Sequence, residues 1–441
     1  MRKEFVMFRM GCSKADTTPG FPVYQRGYAS RNKLAVKIED PIEAGVIVLE
    51  QDGKKILLLT VDHIGIEYQY CRKIAQAIAP VAGIAEEDIF INSSHTHFAP
   101  GFNGYTIYFP DGELKPGRYE EDSTYFEFWM DKVLAAVKHA VSDLEEVTLL
   151  QADIPVTSVS FNRRTVRKSD GGVDTNYTYP LKADKYNFSP VDPTLNVWKF
   201  MRGNTPKAVL ARFSCHPVTG GYDLYAVSAD YPGYLKRAVQ EKLHCPGFFM
   251  QGAVGDSVPM LRNGKSRQDI GEILASSIRL AERTFRETSN FTLKSTTVML
   301  PLTAPAAEGK SNADLEKLWA EAMEKNIKQQ EYSEDIYMQN MLCKTLLAYG
   351  DEKREMPIKL IRLGDITLVG LPFEALTIVG KKIQEKFPDA VICSCTNGYG
   401  CYLPLAEDFP KGGYEPLRGT VWAPETGDEV VKLTVKALAE M

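Results

Sequence analysis

His95-Thr96-His97 places two of the chain's six histidines two residues apart, inside Ser93-Ser94-His95-Thr96-His97-Phe98-Ala99-Pro100-Gly101. The apolar run Ile89-Phe90-Ile91 directly before it reads as a buried strand. Neutral imidazole is the commonest metal ligand, and at a strand end one ring can enter a site while the other binds nearby or is held by a hydrogen bond. A metal centre is the chemistry this spacing points to.

Other candidate groups fall at similar places. Asp62-His63 follows Ile56 to Val61, His216 follows Ala208 to Phe213, Glu374 follows Ile366 to Leu371, and Tyr399 and Tyr402 follow Ala390 to Ile392. In open α/β sheets, ligand sites form outside the carboxyl ends of the strands, so groups at such ends can converge. Asp62 and His63 are candidates for a supporting role or a second metal site.

The elements that must position these groups alternate between strand and helix. Val46 to Leu49, Asp52-Gly53 and Ile56 to Val61 read as a hairpin, since Asp-Gly supplies the positive φ values of a tight turn. A helix from Cys71 to Ala79 and the strand at Ile89 follow, which marks a layered α/β domain. Apolar residues recur at helical spacing between Gln268 and Phe285, and Ser311-Asn312-Ala313-Asp314 opens a further helix like a capping box. Ile358 to Leu371 forms a second hairpin around Gly364, and Glu429 to Met441 reads as a terminal helix. Arg164 to Pro190, rich in Asp, Gly, Tyr and Lys, reads as a long surface loop suited to a polar partner. The fold expected is one α/β domain over residues 1–441, with a mixed central β-sheet flanked by helices and the metal site at the strand carboxyl ends.

At 441 residues, 44% hydrophobic and 25% charged, the chain has the composition of a globular protein. A net charge of −5 gives no nucleic-acid footprint. No apolar run approaches the ~20 residues of a membrane span. Arg2-Lys3 precedes an apolar run that Arg9 ends too early for a signal peptide, so the expected compartment is the cytoplasm, with export open to a trimmed chain. The eight cysteines lack CxxC or disulfide-scaffold spacing and read as reduced, buried thiols.

With these groups laid out in order, the chain resembles the neutral/alkaline non-lysosomal ceramidases, zinc amidases that cut the N-acyl bond of ceramide. The resemblance runs from Gly11 to about Gly427. His95-Thr96-His97 with Pro100-Gly101 is similar to the family's HTHSGPGG, Phe161-Asn162-Arg163 to its NR element, and Phe213-Ser214-Cys215-His216 to its FxxH. Asp230-Tyr231-Pro232-Gly233-Tyr234 resembles DNxGY, and Leu371-Pro372-Phe373-Glu374 resembles PGE. Asn397 to Tyr402 with Tyr414-Glu415 follows the tyrosine-rich segment, keeping the twelve-residue separation of Tyr402 and Tyr414.

The resemblance implies that His95, His216, Glu374 and Tyr402 are zinc ligands, and that His97, Arg163 and Tyr414 face the scissile group. His97 is then the expected proton shuttle, with a pKa near the working range. The reaction implied is hydrolysis of an amide by metal-activated water, on a small amide or lipid-like molecule. Two departures qualify the substrate. The family's GDVSPN reads Gly255-Asp256-Ser257-Val258-Pro259-Met260 here, and in a strand that one-residue shift turns the hydroxyl to the opposite face. The C-terminal β-sandwich domain of relatives has no counterpart within the 441 residues. The expectation is therefore that ceramide is a poor substrate and a smaller, more polar amide or ester a better one. The alternatives are a same-fold hydrolase of a non-ceramide ester or sugar-linked amide, and a zinc-binding protein without catalysis.

Overall fold

The computed structural model describes residues 8–28, 31, 33–102, 123–288, 292–329, 334–347 and 353–441; the Arg2-Lys3 start lies outside them. The expected mixed sheet is present as a nine-stranded one. Its order is Gly247–Gln251, Thr205–Phe213, Thr194–Arg202, Glu145–Pro155, Phe8–Asp16, Glu43–Gln51, Lys54–Val61, Ile89–Ser93, with Arg286–Glu287 beside Glu145–Pro155. The pairs at its two ends are parallel and those in its middle antiparallel. A second sheet, which the sequence reading did not separate from the first, runs Leu293–Pro301, Glu355–Leu363, Ile366–Gly370, Ala390–Cys393.

The central strands of both sheets are buried, and period-two alternation shows how the sheets stack. Val46 and Val48 pack towards the helices Tyr68–Ala82 and Ser123–Ser142, while Ile47 and Leu49 face inward with Leu58 and Phe90. That inward layer also holds Ile361, Leu368 and Val391 of the second sheet, so the sheets pack face to face. The helices Asp230–Leu243 and Ser266–Leu280 cover the remaining outer face of the first sheet. Leu315, Leu346, Val379, Ile383, Val430 and Leu438, from four further helices, cover the second. The molecule is thus layered helix, sheet, sheet, helix.

Local chemistry sets the connections. Asp52 and Gly53 take φ of 50° and 80° in the first hairpin, and Gly364 takes 64° in the second. The capping box forms: Asp314 N donates to Ser311 Oγ at 3.2 Å and Ser311 N to Asp314 Oδ2 at 2.8 Å. The segment from Arg164 to Pro190 is not an irregular loop. It folds into a small sheet of Arg164–Arg167, Val173–Thr175 and Tyr186–Phe188, because Arg167 gathers Asp170 and Asp174 and the strands pair around them.

At the carboxyl ends, buried Asn92 joins the two sheets. Its Nδ2 donates to Ser394 O at 2.8 Å and Thr396 Oγ1 at 2.9 Å, and its Oδ1 accepts from Gln251 N at 2.8 Å. Gln251 Nε2 in turn donates to Ser94 O and Cys215 O. Four strand ends are held in one hydrogen-bonded knot. We predict that Asn92→Leu, which strands several of these buried groups at about 1–3 kcal/mol each, lowers unfolding free energy by roughly 3 kcal/mol or more in urea melts. A loss under ~1 kcal/mol would show that the sheets dock without it.

Candidate functional site

The residues singled out at the strand ends converge on one buried point. His95 sits just past Ile89–Ser93 with a left-handed φ of 67°, its N–H donated to His63 O at 2.8 Å. That conformation is costly for a residue with a Cβ and persists where the surroundings enforce it. Its ring Nδ1 donates to Ile64 O at 2.6 Å. His216 is held alike: its backbone N–H and ring Nδ1 both meet Ser257 O, at 2.9 and 3.2 Å. A carbonyl only accepts, so both rings carry their proton on Nδ1 and present an Nε2 lone pair.

Both Nε2 atoms lie 3.2 Å from Glu374 Oε2. Glu374 pairs in register with Tyr402 across a short parallel ladder, so the two side chains emerge side by side. Tyr402 Oη stands 3.4 Å from His216 Nε2. Burial lowers His216 to about 4, so its ring is neutral at pH 7. Burial also raises the Tyr402 phenol well above its usual value, against the pull of Arg163.

Two imidazole lone pairs and a carboxylate oxygen therefore face one another in a dry site, and Glu374 Oε2 has no hydrogen-bond partner among the described residues. Acceptors crowded in this way repel one another unless a cation or a shared proton lies between them. The donor set of two imidazoles, a carboxylate and a phenol fits a divalent transition ion such as zinc.

His97 differs from its neighbours. Its Nε2 lies 3.4 Å from His95 Nε2, and His95, His97 and His216 each offer a ring nitrogen within 4.8 Å of the others. Its Nδ1, however, has no partner among the described residues, so nothing fixes its tautomer as the carbonyls fix the other two. Burial, then the two other imidazoles, lowers its pKa well below the expected working range, leaving a neutral ring. Gly27, at φ 113°, abuts this ring: a Cβ there would lie 2.6 Å from it.

Arg163 donates through Nε to Glu415 Oε1 at 2.7 Å, and Arg164 through Nη1 to Glu415 Oε2 at 3.0 Å. Burial lowers the Arg163 pKa, but Tyr402 and Glu415 outweigh it and hold the guanidinium charged. Its carbon lies 5.2 Å from the Tyr402 ring centre and 5.9 Å from that of Tyr414, and its Nη2 has no partner among the described residues. Tyr414 packs edge-on against Tyr402 at 5.5 Å. The 164–190 excursion meets the site through Tyr177, whose ring centre is 5.5 Å from the Arg163 guanidinium carbon, and through Thr175, whose Oγ1 accepts from Tyr414 N at 2.9 Å. The polar side chains of that excursion are largely taken up within it, Asp174 by Arg167 and Tyr186, Asn176 by Thr165.

Ser257 enters the site through its backbone. The segment Ser257–Pro259 is a strand paired with Ser160–Asn162, and the Ser257 hydroxyl donates to Ser214 O at 2.9 Å. Asp62 is neutralised by Lys236 at 2.6 Å. His63 is packed among Phe102, Tyr125 and Trp129, which leaves its carbonyl as its contribution to the site. All eight cysteines are free, and burial pushes the Cys395 thiol beside His95 well above its usual value, so it stays protonated. Sequence reasoning missed Asn92, Gln251 and Glu415 as supports. The tandem Arg163-Arg164 was a signal for Glu415, since two buried guanidiniums require a carboxylate.

Imidazoles, a carboxylate and a guanidinium converging at the strand ends of an α/β domain define a site for polar bond cleavage. Residues 8–272 match the model of the neutral/alkaline non-lysosomal ceramidase N-terminal region, and the chain belongs to that family of hydrolases. The fold is similar to neutral ceramidase from Pseudomonas aeruginosa, at TM-score 0.72 and 19% identity over 99% of this chain and 75% of that one. It is also similar to a ceramidase complexed with C2, at TM-score 0.72 and 17% identity over 99% and 76% of the two chains. No curated protein sequence matches. Among the described residues, no helix is long and apolar enough to cross a membrane.

Burial depresses the His63 pKa to about 3. The unfolded chain takes up that proton below about pH 6.5 and the folded one does not, so stability is present above pH 6.5 and falls as pH drops towards 3. We predict that between pH 6.5 and 5 the natural protein loses about 2 kcal/mol more than His63→Phe, at ~1.4 kcal/mol per pH unit. Equal losses in urea melts at the two pH values would refute this.

Proposed function

We propose that the protein is a zinc-dependent amidohydrolase that cleaves the N-acyl bond of an amphipathic, lipid-like substrate. The observation that carries this reading is the partnerless, buried Glu374 Oε2 facing two Nε2 atoms whose tautomers are fixed by backbone carbonyls. His95, His216, Glu374 and Tyr402 would hold the ion. When bound, it supplies Lewis acidity that makes water nucleophilic near neutral pH and polarises the amide carbonyl.

The chain's own residues do the rest. His97, neutral and without a committed tautomer, accepts the proton of the attacking water and returns it to the leaving amine as the C–N bond breaks. Arg163, with Nη2 unengaged, and Tyr414 beside it stabilise the negative charge that develops on the carbonyl oxygen. Ser257 positions His216 through its carbonyl and its hydroxyl takes no part. Because the participating residues run from His95 to Tyr414 and both sheets contribute, we read the chain as a single catalytic unit.

The lipid-like substrate is supported by what borders Arg163. Tyr177 and Tyr414 form an aromatic wall, and Tyr179, Leu181 and Phe188 of the same excursion are exposed. The acidic residues once expected to meet a polar partner are engaged elsewhere. Ceramide, the substrate named by the similar proteins, is therefore the first to test.

We predict close to one zinc per chain by elemental analysis, largely lost in His95→Ala and in His216→Ala; full metal in both variants would refute the ligand assignment. Short-chain ceramide should be cleaved with kcat/KM above ~10⁴ M⁻¹s⁻¹. Turnover of a small polar amide or ester but not of ceramide would instead favour the non-ceramide hydrolase. Ser257→Ala should lower turnover far less than the roughly 10²–10³-fold typical of a lost oxyanion donor.

A further inference from the structure

Glu374 has two carboxylate oxygens, and only Oε2 faces the imidazoles. Its Oε1 accepts a hydrogen bond from Tyr399 Oη at 2.6 Å. Tyr399 is fixed from several sides. Asn397, at φ 52°, clamps the strand Ile89–Ser93 through its side chain, which accepts from Ile91 N and donates to Ile89 O, both at 3.0 Å. Gly400 N donates to Pro372 O at 2.7 Å, and Gly400 O accepts from Trp422 Nε1 at 2.9 Å. The Tyr399 ring passes so close to Gly65 that a Cβ there would lie 2.3 Å from it. The hydroxyl is thus delivered to Oε1 by a ring that lies against Gly65, on a backbone anchored at Asn397 and Gly400.

We propose that Tyr399 is a positioning residue that commits Glu374 to bind the metal through Oε2 alone. The proposal rests on the metal site read above and adds to it a cause for its coordination. With Oε1 engaged, the carboxylate cannot close on an ion with both oxygens. The site then offers two imidazole nitrogens, one carboxylate oxygen and the phenol, a small, nitrogen-containing set suited to zinc rather than to ions that need six or more oxygens. Without the hydroxyl the carboxylate is free to rotate and to chelate with both oxygens, which changes both the hold on the ion and its geometry.

The test is Tyr399→Phe, which keeps the ring against Gly65 and removes only the donor. We expect zinc, measured by competition with a chromophoric chelator, to be held about 10–100-fold more weakly, the range typical of a lost hydrogen bond to a metal ligand. With cobalt(II) in place of zinc, the visible spectrum should change, because its bands report the number and arrangement of the ligands. Metal-free Tyr399→Phe should still unfold in one cooperative transition, lowered by no more than one lost buried hydrogen bond, which separates positioning from a fold defect. Unchanged zinc affinity and an unchanged cobalt spectrum in Tyr399→Phe overturn the proposal while leaving the metal site standing. If the natural protein takes up neither ion, the metal reading fails and this proposal with it.

Discussion

Everything at the site depends on the hydrogen-bonded knot of Asn92 and Gln251. The residues that meet there belong to two sheets and to distant stretches of chain, and packing between flat apolar faces permits sliding. A fully satisfied amide pair does not, because each bond has a direction. Asn92 sets the second sheet against the first, and Gln251 sets the Cys215 and Ser94 backbones against each other. His216 and His95 each follow one of those backbones by a single residue, so the separation of the two rings is fixed from behind.

Around that knot the backbone does much of the orienting. The carbonyls of Ile64 and Ser257 choose which nitrogen of each imidazole is exposed. Substitution at Ile64 or Ser257 leaves such a carbonyl in place, so the sites that set the histidine tautomers tolerate side-chain change as long as the backbone path is kept. This is why Ser257 can stand where the family's serine does not and still serve the site.

Much of the arrangement was legible in the sequence because its ingredients are local. An apolar run followed by His95, His216 or Glu374 announces a strand end carrying a polar group, and Asp52-Gly53 announces its turn. The second sheet was not legible as separate, since its strands Ile366–Gly370 and Ala390–Cys393 read as short apolar runs without the alternation that assigns a face. The supports of the site were hidden for another reason. Asn92 pairs with Ser394 and Tyr399 with Glu374, contacts across hundreds of residues or between side chains that no spacing rule relates. The excursion at 164–190 was misread because its polar residues neutralise one another, which composition alone presents as readiness for a partner.

The distribution of donors along the chain has a consequence for biosynthesis. Glu374 and Tyr402 belong to the last sixth of the 441 residues, while His95 emerges early. Chains are made from the amino end, and domains fold in that order. A nascent chain therefore carries two imidazoles and no carboxylate partner at this point until the second sheet docks. On the function proposed above, the full donor set assembles only at the final stage of folding, and an incomplete chain lacks part of it.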